Sequence, residues 1–213
     1  MTPVKTLATA ILSLATLMGG ACHAQESPWM IRVRALHIDP AHQSGSIPAL
    51  AVPSDAIRVE SRWVPELDIS YFFSKQLAAE LVLAFTKLDA HVSRSAVGAF
   101  DAGSFKALPP TLTLQWHFLP DAQFRPYVGA GLNYTRLSDM KLGNGVTGPL
   151  KLERTSVGPA LQAGIDIALG GAWFLNFDAK KVWIQTGLKS NGTTLSTLKV
   201  DPWLLGVGVG YRF

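Results

Sequence analysis

The sequence contains few charged residues, a single cysteine and no long apolar run, and each shortage has a consequence. Charged residues make up only 16% of the 213 positions, whereas an average soluble domain has about 25%. An apolar run of roughly eighteen residues, which a membrane-spanning helix needs, does not occur. The lack of such a run excludes a membrane protein built from α-helices, and the low content of charged residues is unusual for a soluble domain.

Clusters of lysine and arginine are also lacking, although the formal net charge is +4. Nucleic-acid binding needs such clusters to contact phosphates, so we expect no nucleic-acid partner. The repeated glycines within residues 206–210 lack the strand-turn-helix setting of a nucleotide loop, and we expect no cofactor. His37, Asp39 and His42 have side chains that ligate metals, but three such residues on one connection are weak evidence, and we predict no metal site.

Residues 1–24 have the pattern of a cleaved secretory signal peptide. Lys5 supplies the positive charge, and an apolar stretch and several small residues follow it. Cleavage after position 24 removes Cys22 and leaves residues 25–213 as a single domain that cannot form a disulfide. Lipidation of Cys22 is the alternative, but Gly19 stands where a lipoprotein signal normally has a branched aliphatic residue.

Apolar residues alternate with small or polar residues in eight segments, the pattern of β-strands with two different faces. In the last segment, Trp203, Leu205 and Val207 share one face. The seventh segment is irregular at residues 180–181, where we expect a bulge. The eight segments lie near residues 29–38, 63–73, 77–86, 111–118, 124–135, 156–167, 173–184 and 203–213.

The second face of these segments distinguishes a soluble sandwich from a membrane barrel. In a soluble sheet that face meets water and carries many lysines and glutamates, whereas here it is mostly glycine, alanine, serine, threonine and asparagine. Small residues suit the inside of a narrow closed sheet, which leaves the large apolar residues facing lipid. Short and long connections alternate strictly. We therefore predict an all-β, eight-stranded, antiparallel up-and-down transmembrane barrel with both termini in the periplasm.

Six stretches of the sequence resemble motifs of the OmpW family of Gram-negative outer-membrane proteins. They are residues 29–34, 65–68, 108–112, 125–135, 201–203 and 210–213. The resemblance implies a barrel in outer-membrane lipid and lipopolysaccharide that passes small hydrophobic molecules. Tyr211 and Phe213 also resemble the terminal signal by which the barrel-assembly machinery recognises its clients.

The inward faces of the strands divide the predicted lumen into a charged half and an apolar half. Unpaired charges are costly in a narrow interior, so we expect ion pairs that plug the lumen. The inward charges near the periplasmic strand ends are Arg32, Arg34, Asp68, Glu80, Arg125, Asp166, Asp178 and Arg212. Glu66 and Lys180 also face inward, farther from that end. We expect the outer half to form an apolar ligand path lined by Leu36, Val82, Ala84, Gly131, Gly158, Ala160, Val182, Ile184, Leu204 and Gly206.

These features predict a channel or carrier for small hydrophobic molecules that enter from outside, not an enzyme. An apolar ligand cannot cross a charged plug cheaply, so we expect it to leave sideways into the bilayer near a weakly paired strand end such as that at Pro159. A structural or surface-interaction barrel without transport is the alternative. A lipid A-modifying enzyme is a more remote alternative, raised by His91 two residues before Ser93.

Overall fold

The computed structural model describes residues 27–41, 43–44, 46, 53–54, 56–84, 86–94, 98–137, 150–190 and 193–213. The predicted signal peptide, Cys22 and His42 lie outside these residues. Within them, no helix is long and apolar enough to cross a membrane.

The described residues form strands throughout. In chain order the strands are β1 (Trp29–Asp39), β2 (Gln43–Ser44), β3 (Ile57–Val59), β4 (Arg62–Phe72), β5 (Leu77–Ala84), β6 (Thr86–Val92), β7 (Phe100–Leu108), β8 (Thr111–His117), β9 (Phe124–Leu137), β10 (Leu150–Leu152), β11 (Thr155–Gly170), β12 (Trp173–Val182), β13 (Gln185–Ser190), β14 (Thr193–Lys199) and β15 (Trp203–Arg212).

Eight of these strands close into an antiparallel barrel, which confirms the predicted fold. The order around the wall is β11, β12, β15, β1, β4, β5, β8 and β9, and β9 pairs back with β11. Every predicted segment overlaps one of the eight strands. Closure leaves no unpaired sheet edge in the wall, as a sheet surrounded by lipid requires.

The polarity of the wall is the reverse of that in a soluble protein. On β8, Thr113 and Gln115 are buried, whereas Leu112, Leu114 and Trp116 are about half exposed. Because alternate side chains of a strand point to opposite faces, the polar residues fill the lumen and the apolar residues cover the outside. The outer surface is therefore suited to contact with lipid.

Short turns join the strands at the end of the barrel where both termini lie. The turn between β11 and β12 uses Gly170 and Gly171, with φ angles of 107° and 58° that favour glycine. Ser27 N donates to Phe213 O at 2.6 Å, so the two ends of the barrel domain meet there. In outer-membrane barrels the short turns face the periplasm.

The long connections at the other end contain strands of their own. The hairpin of β6 and β7 extends the barrel sheet beyond β9, and β3 pairs with β6. Strands β10, β13, β14 and β2 form a separate four-stranded sheet. The outer connections are thus partly ordered sheet, which alternation in the eight barrel segments did not predict.

The bulge expected at residues 180–181 is not present. Gln162 pairs with Lys180 and Leu161 with Lys181 in an unbroken register. Lys181 faces outward, donates to the Asp201 carbonyl and lies 5.3 Å from the centre of the Trp203 ring. Two adjacent lysines therefore occupy opposite faces of a regular strand, and the register shift in this pair of strands falls between Ala168 and Gly170.

Candidate functional site: the barrel lumen

The inward-facing residues change from polar to apolar at the same level on several strands. On β1, Arg32 and Arg34 are followed toward the outside by Leu36 and Ile38, and on β12, Lys180 is followed by Val182. We call the charged set the polar layer: Arg32, Arg34, Glu66, Asp68, Glu80, Asp166, Asp178 and Lys180. We call the outer set the apolar chamber: Leu36, Ile38, Val64, Ala84, Ala160, Val182, Ile184, Val200 and Leu204.

Arg32 connects β1 to three other strands of the barrel. Its guanidinium contacts Asp166 through Nε–Oδ1 at 3.1 Å and Nη2–Oδ2 at 2.6 Å, and its Nη1 donates to Glu80 Oε2 at 2.8 Å and to Ser70 Oγ at 2.6 Å. The Arg32 and Glu80 side chains have no solvent exposure. Paired, hydrogen-bonded charges of this kind are the form in which ions are tolerated in an interior.

Arg34 and Lys180 form the outer part of the polar layer. Arg34 Nη1 lies 2.7 Å from Asp68 Oδ2 and 3.1 Å from Glu66 Oε1. Lys180 Nζ contacts Glu66 Oε1 at 2.8 Å and Asp178 Oδ1 at 2.6 Å. The ion pairs expected in the plug are therefore present in the structure, and Glu66 and Lys180 belong to the same network.

Neutral polar side chains complete the network. Gln162 Nε2 donates to Glu80 and Asp178, each at 2.8 Å, and Tyr127 Oη donates to Asp178 Oδ2 at 2.7 Å. Asn176 Nδ2 donates to Asp166 Oδ1 at 2.8 Å. Their inward positions were readable from strand alternation, but which neutral residue meets which charge depends on the register between strands.

Glycines on β15 give the two arginines of β1 the space that they occupy. A β-carbon on Gly206 would lie 3.1 Å from Arg34 Cδ, and one on Gly210 would lie 3.1 Å from Arg32 Cγ. Gly208 is tighter, because its β-carbon would lie 2.1 Å from the Val33 carbonyl oxygen. The alternating glycines of this strand are thus a counterpart of the buried arginines, not a nucleotide loop.

Arg125 and Arg212 lie at the periplasmic mouth, outside the polar layer. Arg125 stacks on Phe174 with its Cζ 4.9 Å from the ring centre, and Arg212 stacks on Phe72 at 4.3 Å. His117 is buried between Phe72 and the Tyr127 ring, with ring centres 5.0 Å away in each case. Both arginines were predicted as periplasmic-side lumen charges, and in the structure they contact aromatic rings and backbone carbonyls.

A small cavity lies in the outer half of the barrel and is lined in part by residues of the apolar chamber. Its volume is about 40 Å³, enough for about three water molecules. A larger guest therefore requires side chains to move. The cavity is lined by Ile38, Thr86, Pro109, Asn133, Thr135, Leu137, Val182, Ile184, Val200, Pro202 and Leu204.

Six residues of the predicted ligand path lie together in the apolar chamber: Leu36, Ala84, Ala160, Val182, Ile184 and Leu204. The other four do not. Gly206 lies beside Arg34, and Val82 pairs with Asp68, so both are level with the polar layer. Gly131 and Gly158 face backbone, since a β-carbon on either would lie 1.9 Å from a carbonyl oxygen of Leu112 or Trp183.

The wall beside this cavity lacks part of its hydrogen-bond ladder. The β5–β8 pairing ends at Val82 and Thr111, and the β6–β7 pairing begins at Thr86 and Ala107. In the described part of the chain, Leu83 and Ala84 have no ladder partner on that side. The facing residues are Pro109 and Pro110, which have no N–H to donate.

The carbonyl groups of these two prolines point to β9 instead. Tyr134 N donates to Pro110 O at 2.9 Å, and Asn133 Nδ2 donates to Pro109 O at 3.3 Å. At Pro159, where we expected a weak strand end, the carbonyl accepts from Trp183 N at 3.1 Å. The sequence signal for the actual gap was the proline pair itself. It falls between β8, which alternation predicted, and β7, which lies in a connection where no strand was predicted.

Other candidates from the sequence are placed as follows. Tyr211 and Phe213 pack edge to face on the outside at the periplasmic end, with ring centres 5.1 Å apart. Ser93 Oγ donates to the Ala56 carbonyl at 2.9 Å. His37 is half-buried beside Trp63, and the described residues contain no group of three potential metal ligands.

Comparison with known proteins agrees with this architecture. Residues 25–213 match the model of the OmpW family. The chain is 42% identical to the uncharacterized outer-membrane protein y4mB of Sinorhizobium fredii over 88% of this chain and 80% of that protein. It is 33% identical to outer membrane protein W of Vibrio cholerae, over 89% and 90%.

Two Pseudomonas aeruginosa proteins are also similar. One, 24% identical over 89% of this chain and 90% of its own length, is named dibenzothiophene metabolism operon protein PahQ. The crystal structure of the other, the outer membrane protein OprG, superimposes with a TM-score of 0.75 at 26% identity, covering 91% of this chain and 99% of OprG.

Proposed function

The chain belongs to the OmpW family of non-enzymatic Gram-negative outer-membrane barrels, and we propose that it carries small hydrophobic molecules from outside into the outer membrane. The observation that carries this proposal is the division of the lumen. An apolar molecule is stabilised when it leaves water for the apolar chamber. It would be destabilised in the polar layer, where it would displace buried, hydrogen-bonded ions.

The name of one relative supports an apolar cargo. PahQ is named for dibenzothiophene metabolism, and dibenzothiophene is an aromatic compound with little capacity for hydrogen bonding. The chamber residues Leu36, Val182 and Ile184 offer side chains of matching polarity.

The gap beside Pro109 and Pro110 is the exit that we propose. A ligand in the cavity contacts Pro109 directly, and on the outer surface the neighbouring Leu108 and Leu112 are 42% and 57% exposed. Separating β5 from β8 at Leu83 and Ala84 breaks no ladder hydrogen bond, whereas elsewhere in the wall each broken bond leaves groups unsatisfied in lipid. Movement sideways therefore costs less than movement through the polar layer.

A disulfide across the gap tests the exit. The mature chain has no cysteine of its own if cleavage follows position 24, so Ala84→Cys with Pro109→Cys introduces a single possible bridge. We expect oxidised protein in liposomes to deliver a fluorescent aromatic hydrocarbon to the bilayer more slowly than the same protein after reduction. The matched control is Ala79→Cys with Leu114→Cys, which joins the same two strands within the intact ladder.

The control bridge should leave delivery unchanged. Equal delivery by the oxidised and reduced gap variant would contradict the exit. Equal delivery by liposomes with and without wild-type protein would contradict transport altogether, and the outer sheet of β10, β13, β14 and β2 would then favour the surface-interaction alternative.

A further inference from the structure

We propose that the outer surface of the barrel binds the phosphate groups of lipid A, the membrane anchor of lipopolysaccharide, through Lys87, Lys106 and Arg136. The three residues belong to β6, β7 and β9, and all of them are exposed. They are well separated along the chain, so the sequence shows no run of basic residues. The fold brings them together, and we call them the basic patch.

The register of the strands places the basic patch on the outer face of the sheet. Lys87 pairs directly with Lys106, and Leu108, two residues farther along β7, pairs directly with Arg136. Directly paired residues, and residues two apart on one strand, project to the same face. Leu108 is exposed on the outside, whereas Thr86, which precedes Lys87, is buried on the opposite face. The three basic side chains therefore point away from the lumen.

The pairing of two lysines is unfavourable until an anion binds between them. Like charges directly opposite each other on neighbouring strands are destabilising, and their β-carbons lie only about 5 Å apart. Arg136 is diagonal to Lys106, at a separation of about 7–8 Å. Strand β6 also contains Asp89, and one carboxylate counted against three cations leaves a net charge of +2. A phosphate relieves the repulsion and accepts charge-assisted hydrogen bonds from more than one of these side chains.

The height of the basic patch in the membrane identifies a lipid as its partner. On β9 the exposed Leu132 and Tyr134 precede Arg136 in the direction of the outside. Tyrosine is enriched where the hydrocarbon of a bilayer meets water, so Arg136 follows at the level of the lipid headgroups. Basic side chains at this level bind anionic headgroups, while the leucines beside them contact acyl chains.

Lipopolysaccharide is the anionic lipid that this side of the barrel meets. The short turns face the periplasm, so the basic patch lies in the outer leaflet. Lipid A carries phosphates on two sugars directly above its acyl chains, whereas a glycerophospholipid carries a single phosphate. The greater negative charge at the same height favours lipid A at a site with three cations.

Titration of the refolded barrel in maltoside micelles, which contain no phosphate, tests the assignment. Native mass spectrometry counts bound lipid A in its diphosphorylated form and after removal of both phosphates. We expect the wild-type barrel to bind the diphosphorylated form at least roughly 10-fold more tightly, since one basic residue near an anionic lipid contributes about a factor of five. The triple variant Lys87→Gln, Lys106→Gln, Arg136→Gln should lose this preference while it binds the dephosphorylated form as before.

The triple variant Lys75→Gln, Arg94→Gln, Lys199→Gln is the matched control. It also removes two lysines and one arginine that are exposed, but these lie outside the basic patch. It should keep the preference. An equal loss of preference in both variants overturns the assignment, because net charge alone would then explain the binding. Equal binding of the two forms by the wild type also overturns it, and equal binding of phosphatidylglycerol and lipid A overturns the choice of lipid A.

Discussion

Arg32 and Asp166 are joined by two hydrogen bonds across the lumen, although β12 and β15 separate their strands in the wall. This planar pairing fixes opposite sides of the barrel relative to each other. The pair therefore stabilises the barrel by joining strands that are not neighbours, whereas the hydrogen-bond ladders join only adjacent strands.

Replacement of Arg32 by methionine should destabilise the barrel strongly. The substitution retains an apolar stem but leaves Asp166 buried without its cation and leaves Glu80 with only the 3.5 Å ion pair to Arg34 among the described residues. Removing one partner of a buried pair costs roughly 3–5 kcal/mol in other proteins. Urea unfolding in detergent micelles measures the change. Lys75→Met is the control, since the Lys75–Asp121 pair is solvent-exposed and such pairs contribute little. An equal shift for both variants would contradict the role of the polar layer.

Two alanine substitutions on β15 should differ sharply in how much they destabilise the barrel. In Gly208→Ala the new β-carbon meets the Val33 carbonyl at 2.1 Å, and backbone must move. In Gly206→Ala it meets the flexible Arg34 side chain at 3.1 Å. We expect a loss of about 1–3 kcal/mol for the first, the usual cost of overpacking, and a smaller loss for the second. The same unfolding assay compares the two variants. Similar losses of stability would show that the close approach of β15 to β1 at Gly208 does not restrict which side chain this position tolerates.

A tryptophan at position 160 should slow delivery of an apolar compound. Ala160 is buried in the apolar chamber and pairs with Val182, which lines the cavity, so an indole at position 160 would take up space that a ligand needs. Ala163→Trp is the control, because Ala163 lies on the same strand but on the exposed outer face. Delivery rates into liposomes distinguish the two. Unaltered delivery by Ala160→Trp would place the ligand path elsewhere.

The wild-type barrel should give no large, steady ion conductance in planar bilayers. The Arg32, Arg34 and Glu80 side chains are completely buried, so the polar layer leaves no continuous water path. A parallel recording from a general porin shows that insertion is detected. Sustained conductance by this protein would contradict the closed lumen.

Deletion of Phe213 should lower the yield of barrel in outer membranes far more than the stability of refolded protein. Its ring is on the outside and contacts Tyr211, where the assembly machinery is predicted to recognise it. Phe213→Tyr, which keeps an aromatic ring, should restore the yield. Equal outer-membrane yields of the deleted and intact chains would argue against an assembly signal.

Alternation predicted the fold because it depends only on neighbours in sequence. Arg32 and Arg34 were correctly placed inside for the same reason. The level of a residue along the barrel axis is a different property, since it depends on how far each strand is shifted against the next. Gly206 was therefore predicted in the apolar half, but it lies opposite Asp178, level with the charges.

Thr86 and Pro109 line the cavity, but the sequence analysis did not predict them as lining residues, for a related physical reason. Each lies where one pair of strands gives way to another, and alternation along a single strand carries no information about such a change of partner. Two successive prolines after Leu108 were the available signal, because they cannot donate to a ladder. The position of a missing ladder can thus be read from sequence only when the residues that cause it are prolines.

The alternation of outward leucines and valines with inward polar residues also governs how the chain reaches its membrane. During export the unfolded polypeptide must pass the translocation channel of the inner membrane, which releases sufficiently apolar stretches sideways into that bilayer. On β8 an inward threonine or glutamine separates each outward leucine or tryptophan from the next, and the sequence has no apolar run of the roughly eighteen residues that a membrane-spanning helix needs. The surface that anchors the folded barrel in lipid exists only after the strands have formed, and the protein can therefore cross one membrane without stopping and remain in the next.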